Sequence, residues 1–513
     1  MLLIREVPLR SFDEFDPEIR RRDWYAAAAL FFVALPLCLG IAAGAEIPAI
    51  SGLISGIVGA LVVAPLSGSA LMVSGPAAAM LPLIAHGLER VGGLPGLLTA
   101  TSLAGVFQLF FSALRWGEVG AWVPAPVVRG LLTAIGLIVV LKQLPHLLGH
   151  DTDAMGDESF FQFDGSNTFS AIGVAVGHIH PAALATALVT LGVLYATRDR
   201  RSLPGAVTAV TLGSAFALVS GALSPAFVLD PTHYVDLPEM GRGPFEFPRP
   251  DWGALLRIET WVLAFELAIV GSLESLLGLE ATDRIDPYRR ISDPDRELLA
   301  QGVGNIVAGL LGGLPVAGVV VRSAAAVSAG AATRFATVAH GGLLATALMI
   351  LPDALEFIPL SALAALLFWV GGGHVHPRVW REAWQAGPTT FVPFAATVVG
   401  VLLSSLLPGV IFGIGVAAAM ALRESAEHSG FTVTTSTDGT VTWTLDHTVS
   451  FQHKARVRRE LLALPELGRV HIDGRRCRVL DADVRTLIAD FRMEAERRRI
   501  TYTLSFPPEE AEV

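Results

Sequence analysis

Charged side chains are scarce: they make up 16% of the 513 residues, against about 25% in an ordinary soluble domain. Cysteine is nearly missing. Cys38 and Cys477 are the two in the chain, too far apart for a disulfide framework or a thiolate metal centre, and both are expected to be reduced. No excess of positive charge is present; the net charge of −10 gives no sign of a nucleic-acid partner. No nucleophile triad, metal-ligand cluster or phosphate-cradling loop can be read from the residues, which argues against an enzyme and against a resident cofactor. His374 and His376 form a His-x-His pair, but without a further ligand nearby they read as a membrane-edge pair and not as a metal site. A cleavable signal is not expected, because a polar stretch of about twenty residues precedes the first apolar run.

Apolar residues, at 52% of the chain, are unevenly spread. Residues 24–148 and 300–425 carry few charges, whereas residues 450–500 are dense in Arg, Asp and Glu. This texture predicts a polytopic α-helical membrane domain at 24–426, a short segment at 1–23 before it, a small soluble domain at 430–508 and a tail at 509–513. Spans of roughly 15–25 residues number about fourteen, at 24–45, 49–66, 76–89, 94–114, 127–148, 181–196, 205–228, 261–280, 295–313, 322–334, 335–351, 359–372, 389–405 and 409–424. Pairing each with the one seven later gives offsets of about 240 residues, as inverted seven-plus-seven repeats require. Basic clusters at Arg20–Arg22, Arg198–Arg201 and Arg284–Arg296 then place both termini in the cytoplasm and the loops at 149–180 and 229–260 outside.

The third and tenth spans are short, and each follows an extended apolar piece: Val73-Ser74-Gly75-Pro76-Ala77-Ala78-Ala79-Met80 and Val320-Val321-Arg322-Ser323-Ala324-Ala325-Ala326-Val327. Extended backbone at membrane depth is costly unless buried in protein or lining a cavity. Two such breaks in corresponding places suggest the broken helices of an inverted-repeat transporter. Their meeting N-termini would offer unpaired N–H groups and positive dipole ends to an anion. The plainer alternative is two kinked spans with no ligand.

After about residue 430 the pattern changes. Phe431–Thr435 and Thr440–Leu445 alternate as strands do across an Asp438-Gly439 turn. A helix at about 453–464, a strand at 469–473, a helix at about 482–498 and a strand at 501–505 follow, predicting a small α/β domain. Arg497-Arg498-Arg499 reads as a solvated helix C-terminus.

The chain resembles the sulfate permease (SulP) family of anion transporters, whose members join a fourteen-span domain to a cytoplasmic STAS domain. The resemblance rests on Val33-Ala34-Leu35-Pro36-Leu37, Val73-Ser74-Gly75-Pro76, Gly271-Ser272-Leu273-Glu274-Ser275-Leu276-Leu277, and then Glu297-Leu298, Ala300-Gln301-Gly302, Asn305, Gly309, Gly312-Gly313, Pro315 and Arg322. It implies a homodimeric secondary transporter in the inner (plasma) membrane that moves an anion-binding core against a gate domain in an elevator-like manner. It also implies an anion site with Ser74, Pro76, Ala77 and Ala78 on the third span, Val321, Arg322 and Ser323 on the tenth, and a wall near Leu37. Ser323 reads additionally as an N-cap, and Ser74 as a partner for backbone near the strand. Glu274 matches a position that helps bind sodium in sodium-coupled members. Here Gly278 and Val319–Val321 stand where hydroxyl ligands would be expected, so Glu274 is read as a proton-accepting coupling group, with H+ favoured over Na+. Glu266, Glu280 and Asp283 are weaker candidates. Leu37 stands where many relatives carry Gln or Glu. Ala482, in Leu480-Asp481-Ala482-Asp483, replaces the phosphorylated Ser of sigma-factor antagonists, so that switch is expected to be absent; Asp481 and Asp483 are placed for capping.

The expected substrate is a small inorganic anion, with bicarbonate first and sulfate close behind. A dicarboxylate transporter, a sodium-coupled bicarbonate symporter and an uncoupled anion channel or exchanger remain alternatives. A nucleobase transporter would share the membrane fold but lack the STAS tail.

Overall fold

A computed structural model describes residues 16–151, 167–198, 205–235, 237, 247–350, 352–427, 430–436, 439–449, 453–465 and 468–505. The chain forms two compact units, Met1–Ile414 and Gly415–Val513.

In the first unit, apolar composition becomes helix almost throughout. Each apolar segment read from the sequence coincides with a helix. By length and composition, seven of the described helices are able to cross a membrane, or eight if the bent pair Thr168–Gly177 and Pro181–Thr197, at 112°, is one span. The rest fall short for physical reasons. Leu81–Arg90 and Val320–Ser328 are half-helices behind strands; Pro294–Leu311 opens with Asp295, Arg296 and Glu297. The Thr168–Gly177 helix lies within the expected 149–180 loop; Asn167 and Ser170 close a capping box at its start. Pro377–Gln385 is a second unexpected helix, its N-terminus capped by His376 Nδ1, which accepts from the Arg378 N–H at 3.2 Å. Asp153, Asp157 and Glu158 lie outside the described residues, as does the His374 side chain.

The first helix runs Pro17–Gly44, seven residues earlier than the expected span. Asp16 caps it, accepting from the Glu18 N–H at 2.8 Å, and Pro17 supplies a φ suited to the first turn. Residues 17–23, read as an N-terminal segment, therefore belong to the helix. Asp23 is buried. Its carboxylate accepts from the N–H groups of Ala332 (2.7 Å) and Thr333 (3.2 Å) and from Thr333 Oγ1 (2.5 Å), and so satisfies donors in the break after Val320–Ser328. Ala26 and Leu30 pack with Leu71, Val73, Ala326 and Ala331 on the same side.

Two three-residue strands cross at the centre of this unit. β1, Ser74–Pro76, pairs antiparallel with β2, Val316–Gly318, in the register Ser74–Gly318, Gly75–Ala317, Pro76–Val316. The helix Ala49–Leu66 crosses β1 so closely that a β-carbon at Gly59 would strike the Ser74 carbonyl. At that point the helix widens into a π-turn, Gly59–Val63.

The second unit carries a mixed sheet in the order β3-β4-β6-β8, where β3 is Phe431–Thr435, β4 Thr440–Leu445, β6 Arg469–Asp473 and β8 Thr501–Ser505. β3–β4 is antiparallel and β4–β6–β8 parallel. A two-residue pair, β5 Thr448–Val449 with β7 Val479–Leu480, was not read from the sequence. Helices Lys454–Leu462 and Ala482–Arg497 pack on the sheet; Trp443, Ile472, Val457 and Val484 are fully buried between the layers. Gly439, at φ +79°, stands in the turn after β3; Asp438 lies outside the described residues, as do the Ala482, Asp483 and Arg497 side chains. Arg498 is not simply solvated: it donates to the Leu464 carbonyl and, at 3.4 Å, to that of Leu462, at the C-terminus of Lys454–Leu462.

Candidate anion-binding site at the crossed strands

A buried strand pair three residues long leaves its outer backbone groups without ladder partners. Side chains supply them here. Asn305 donates from Nδ2 to the Val316 carbonyl at 2.8 Å and accepts at Oδ1 from the Val316 N–H at 2.7 Å, acting as a substitute strand. The same Nδ2 donates to Gln108 Oε1 at 2.8 Å. Ser275 Oγ accepts from the Gly318 N–H at 3.0 Å. Gln301 Nε2 donates to Ser74 Oγ at 2.7 Å and to Glu297 at 2.8 Å, and Glu297 in turn accepts from Ser67 Oγ. Replacing Asn305 by Ala strands two buried backbone groups. We expect it to destabilise the membrane unit by about 1–3 kcal/mol, read as an earlier thermal transition of the detergent-solubilised protein; an unchanged transition would mean β2 does not depend on this side chain.

The strand ends release two helix starts. After β1, Ala77 is extended (φ −119°) and a short 3-10 turn, Ala78–Met80, leads into Leu81–Arg90. After β2, Val319 is extended (φ −104°) and the helix Val320–Ser328 begins. It begins two residues earlier than expected. Val319, not Ser323, is therefore the N-cap. Ser323 instead donates from Oγ to the Val319 carbonyl and accepts from the Val73 N–H, both at 2.9 Å, locking one half-helix to the strand that feeds the other. The first-turn N–H groups belong to Val320, Val321 and Arg322, and such groups favour negative charge.

Arg322 is completely buried. Its Nη2 donates to the Pro76 carbonyl at a long 3.4 Å. Nε and Nη1 make no hydrogen bond among the described residues. The guanidinium lies against Gly75, where a β-carbon would collide with Nη1, so a larger residue there would displace the guanidinium. The Cys38 thiol lies beside it, and His340 lies within electrostatic reach. A buried guanidinium with two orphan nitrogens next to two helix starts is an arrangement suited to a bound anion.

The other candidate residues divide. Arg322 reaches the Pro76 carbonyl, Ala77 and Ala78 follow β1, Val321 lies in the first turn after β2, and Ser74 is at the strand pair, engaged by Gln301. Leu37 is buried on the first helix next to Pro36, which leaves one backbone carbonyl without its helical donor. Glu274 is 5% exposed and shares a helix face with Gly271, Ser275 and Gly278. That face packs against the strands: a β-carbon at Gly278 would come within 3.0 Å of the Gly318 carbonyl oxygen, which explains why no hydroxyl stands there. Glu280 pairs with Arg284 at 2.8 Å and Asp283 accepts from Ser292, so both serve their own end of the helix.

Glu297, Gln301 and Asn305 carry the family resemblance, and the structure gives each a role in this lattice. Their spacing of four places three polar side chains on one face of an otherwise apolar helix, a signal present in the sequence.

Two half-helices fed by a buried antiparallel strand pair, inside a bundle of apolar helices, define a multi-pass membrane protein. The chain belongs to the sulfate permease family, whose model matches residues 21–397. It is an anion transporter of that family, and its relatives are transporters and not enzymes. It is 25% identical over 417 residues to the putative sulfate transporter YvdB of Bacillus subtilis, covering 79% of this chain and 74% of that one. It is 26% identical over 411 residues to the bicarbonate transporter BicA of Picosynechococcus, covering 77% and 68%. Among solved structures, the transmembrane domain of a cyanobacterial BicA aligns with a TM-score of 0.55 at 21% identity, covering 77% of this chain and 98% of that one. Murine Slc26a9 in the inward-facing state aligns at 0.64 and 16% identity, covering 94% and 85%.

Proposed function

We propose that this protein is a secondary transporter of a small inorganic anion, bicarbonate first and sulfate second, working by elevator-type alternating access with proton coupling. The observation that carries the reading is the buried Arg322 guanidinium, with orphan Nε and Nη1, set where the two helix starts leave the crossed strands. A desolvated positive charge with free donors and aligned N–H groups recognises charge and size more than shape, which suits a small oxyanion. The lattice of Asn305, Gln301 and Ser275 ties both strands to neighbouring helices, so the site would travel as a rigid body. Glu274, on the helix packed against β2, is the group assigned to proton coupling. The second unit, with its parallel β4–β6–β8 core and two helices, is read as a cytoplasmic STAS domain that supports folding, dimer contacts or partner binding, without a phosphorylation switch at Ala482. Both termini are assigned to the cytoplasm and the chain to the inner membrane, from the basic loops.

The test is uptake of labelled bicarbonate, sulfate, chloride and dicarboxylates into proteoliposomes, with and without proton and sodium gradients. The expected result is saturable bicarbonate uptake accelerated by an inward proton gradient and indifferent to sodium. Large unitary currents would indicate a channel. Preference for a dicarboxylate would overturn the substrate assignment and leave the anion site standing.

A further inference from the structure

Away from the crossed strands, three imidazoles and two carboxylates converge from segments far apart in sequence. Asp151, just past the helix Ala125–Leu148, is nearly enclosed. His146 Nδ1 lies 2.6 Å from its Oδ1, and His233 Nδ1 lies 2.6 Å from its Oδ2. The His233 ring stands 4.9 Å, centroid to centroid, from that of His180. His180, Asp230 and His233 each offer a ligand atom, and these atoms lie within 4.8 Å of one another.

The backbone holds this grouping in place. His180 is the residue before the helix Pro181–Thr197, and its N–H donates to the Leu148 carbonyl at 2.8 Å. Gly149, at φ +81°, turns the chain there, and a β-carbon on it would lie 2.6 Å from His180 Cβ. Asp230 opens the 3-10 turn Pro231–His233, whose His233 N–H returns to the Asp230 carbonyl at 2.9 Å. Tyr234 then bridges to Pro359, and the Val235 N–H donates to Ile358 at 3.0 Å. Beneath the cluster, Ala182, Ala183, Ala217 and Leu229 form a buried apolar floor.

We propose that His180, Asp230 and His233 form a binding site for a divalent transition-metal cation of the zinc class. The donor set is two imidazoles and one carboxylate, which suits zinc and its neighbours better than calcium or magnesium, whose sites are built from oxygen. Asp151 plays the supporting part. A ligating histidine commonly donates its other ring N–H to a carboxylate, which fixes the tautomer and aims the lone pair at the metal. With Nδ1 of His233 committed to Asp151, its Nε2 is the free ligand. His180 Nδ1 is buried and makes no hydrogen bond among the described residues; in the tautomer protonated at Nε2 it presents a lone pair that a metal can take. Asp151 and Asp230 place two carboxylates in the grouping, the chemistry a cation needs. Asp230 is exposed, which gives the ion a route in and leaves a coordination position to water. A bound ion would clamp the start of Pro181–Thr197 to the 230–233 turn.

The full-length protein, purified in detergent and stripped with a chelator, should bind one Zn2+ per chain in equilibrium dialysis. Co2+ in its place should give the ligand-field absorption of a tetrahedral site. Asp230→Asn changes an exposed side chain and should fold normally, and it should lower Zn2+ affinity by at least about tenfold; His233→Ala and His180→Ala should lower it further. Melting in chelator tells folded variants from misfolded ones, and Asp230→Asn decides the matter if the histidine variants do not fold. The proposal is overturned if the wild type binds no stoichiometric zinc, or if folded Asp230→Asn binds it as tightly as the wild type.

Discussion

Replacing Arg322 with Ala is expected to weaken anion binding by about ten- to a hundredfold, the equivalent of the roughly 1.5–3 kcal/mol that a charge-assisted hydrogen bond contributes. The same change should leave the anion-free protein at least as thermostable as its parent. Those two outcomes have one cause. Arg322 is completely buried, and among the described residues its guanidinium has one hydrogen bond to an oxygen, the long one to the Pro76 carbonyl at 3.4 Å, with the Cys38 thiol beside it. A buried charge without compensation is a cost to the folded state, and an anion beside Nε and Nη1 offsets that cost. Removing the charge removes both cost and attraction. Arg322→Lys should recover part of the affinity, since it keeps a positive charge but loses the planar fork. The measurement is anion affinity by isothermal calorimetry or by ligand-dependent melting, set beside melting without anion. Unchanged affinity in a folded Arg322→Ala variant would mean that the helix starts alone hold the anion. A collapse of stability would mean that the guanidinium is structural.

The helical texture was legible because it rests on composition: long apolar runs between Gly, Pro and charged punctuation become helices whatever surrounds them. The two half-helices were legible for a related reason, since Ser74-Gly75-Pro76 and the valines before Arg322 interrupt runs that would otherwise continue. What failed was detail that depends on contacts. Ser323 looked like a cap because hydroxyls favour that position, yet the antiparallel pairing of β1 and β2 draws the helix start back to Val320 and turns the hydroxyl to the Val73 N–H. The helix Thr168–Gly177 was missed because a ten-residue apolar stretch beside an acidic loop carries little periodic signal. Helix length is a separate matter. Helices such as Arg334–Ile350 and Pro388–Leu403 are apolar but short, so counting apolar segments counts helices and not lengths.

Site chemistry was legible in part. Arg322 and Glu274 stood out as charges inside apolar runs, where ionisable groups are expensive and by default functional. The supporting polar lattice was visible only as the spacing of Glu297, Gln301 and Asn305, because its partners Ser74, Gln108 and Val316 lie on other elements. The His180–Asp230–His233 grouping was invisible in sequence for the same reason. Its members are brought together by Gly149 and by the bridge from Tyr234 to Pro359.

Glu274→Gln is expected to abolish acceleration of uptake by an inward proton gradient while leaving anion binding in place. Glu274 is 5% exposed, on the face of Ile258–Ile285 that also presents Gly271, Ser275 and Gly278. Ser275 holds β2 through the Gly318 N–H, so whatever happens to the charge of Glu274 happens beside the strand that releases Arg322. A proton arriving there removes a negative charge close to the anion site, and that differential interaction is what coupling requires. Sodium would need several oxygen ligands. Gly278, where a β-carbon would come within 3.0 Å of the Gly318 carbonyl oxygen, supplies no hydroxyl, and Val319, Val320 and Val321 supply none either. Glutamine fixes the neutral state in nearly the same shape, so the variant should bind anion at least as tightly as the wild type and transport it at a rate indifferent to the pH gradient. Uptake by wild type and variant in proteoliposomes, at matched anion concentration and varied internal and external pH, measures this directly. If wild-type uptake instead rises steeply with external sodium, and Glu274→Gln removes that rise, the carboxylate is a cation ligand completed by backbone carbonyls of the crossed strands, and the proton assignment is wrong.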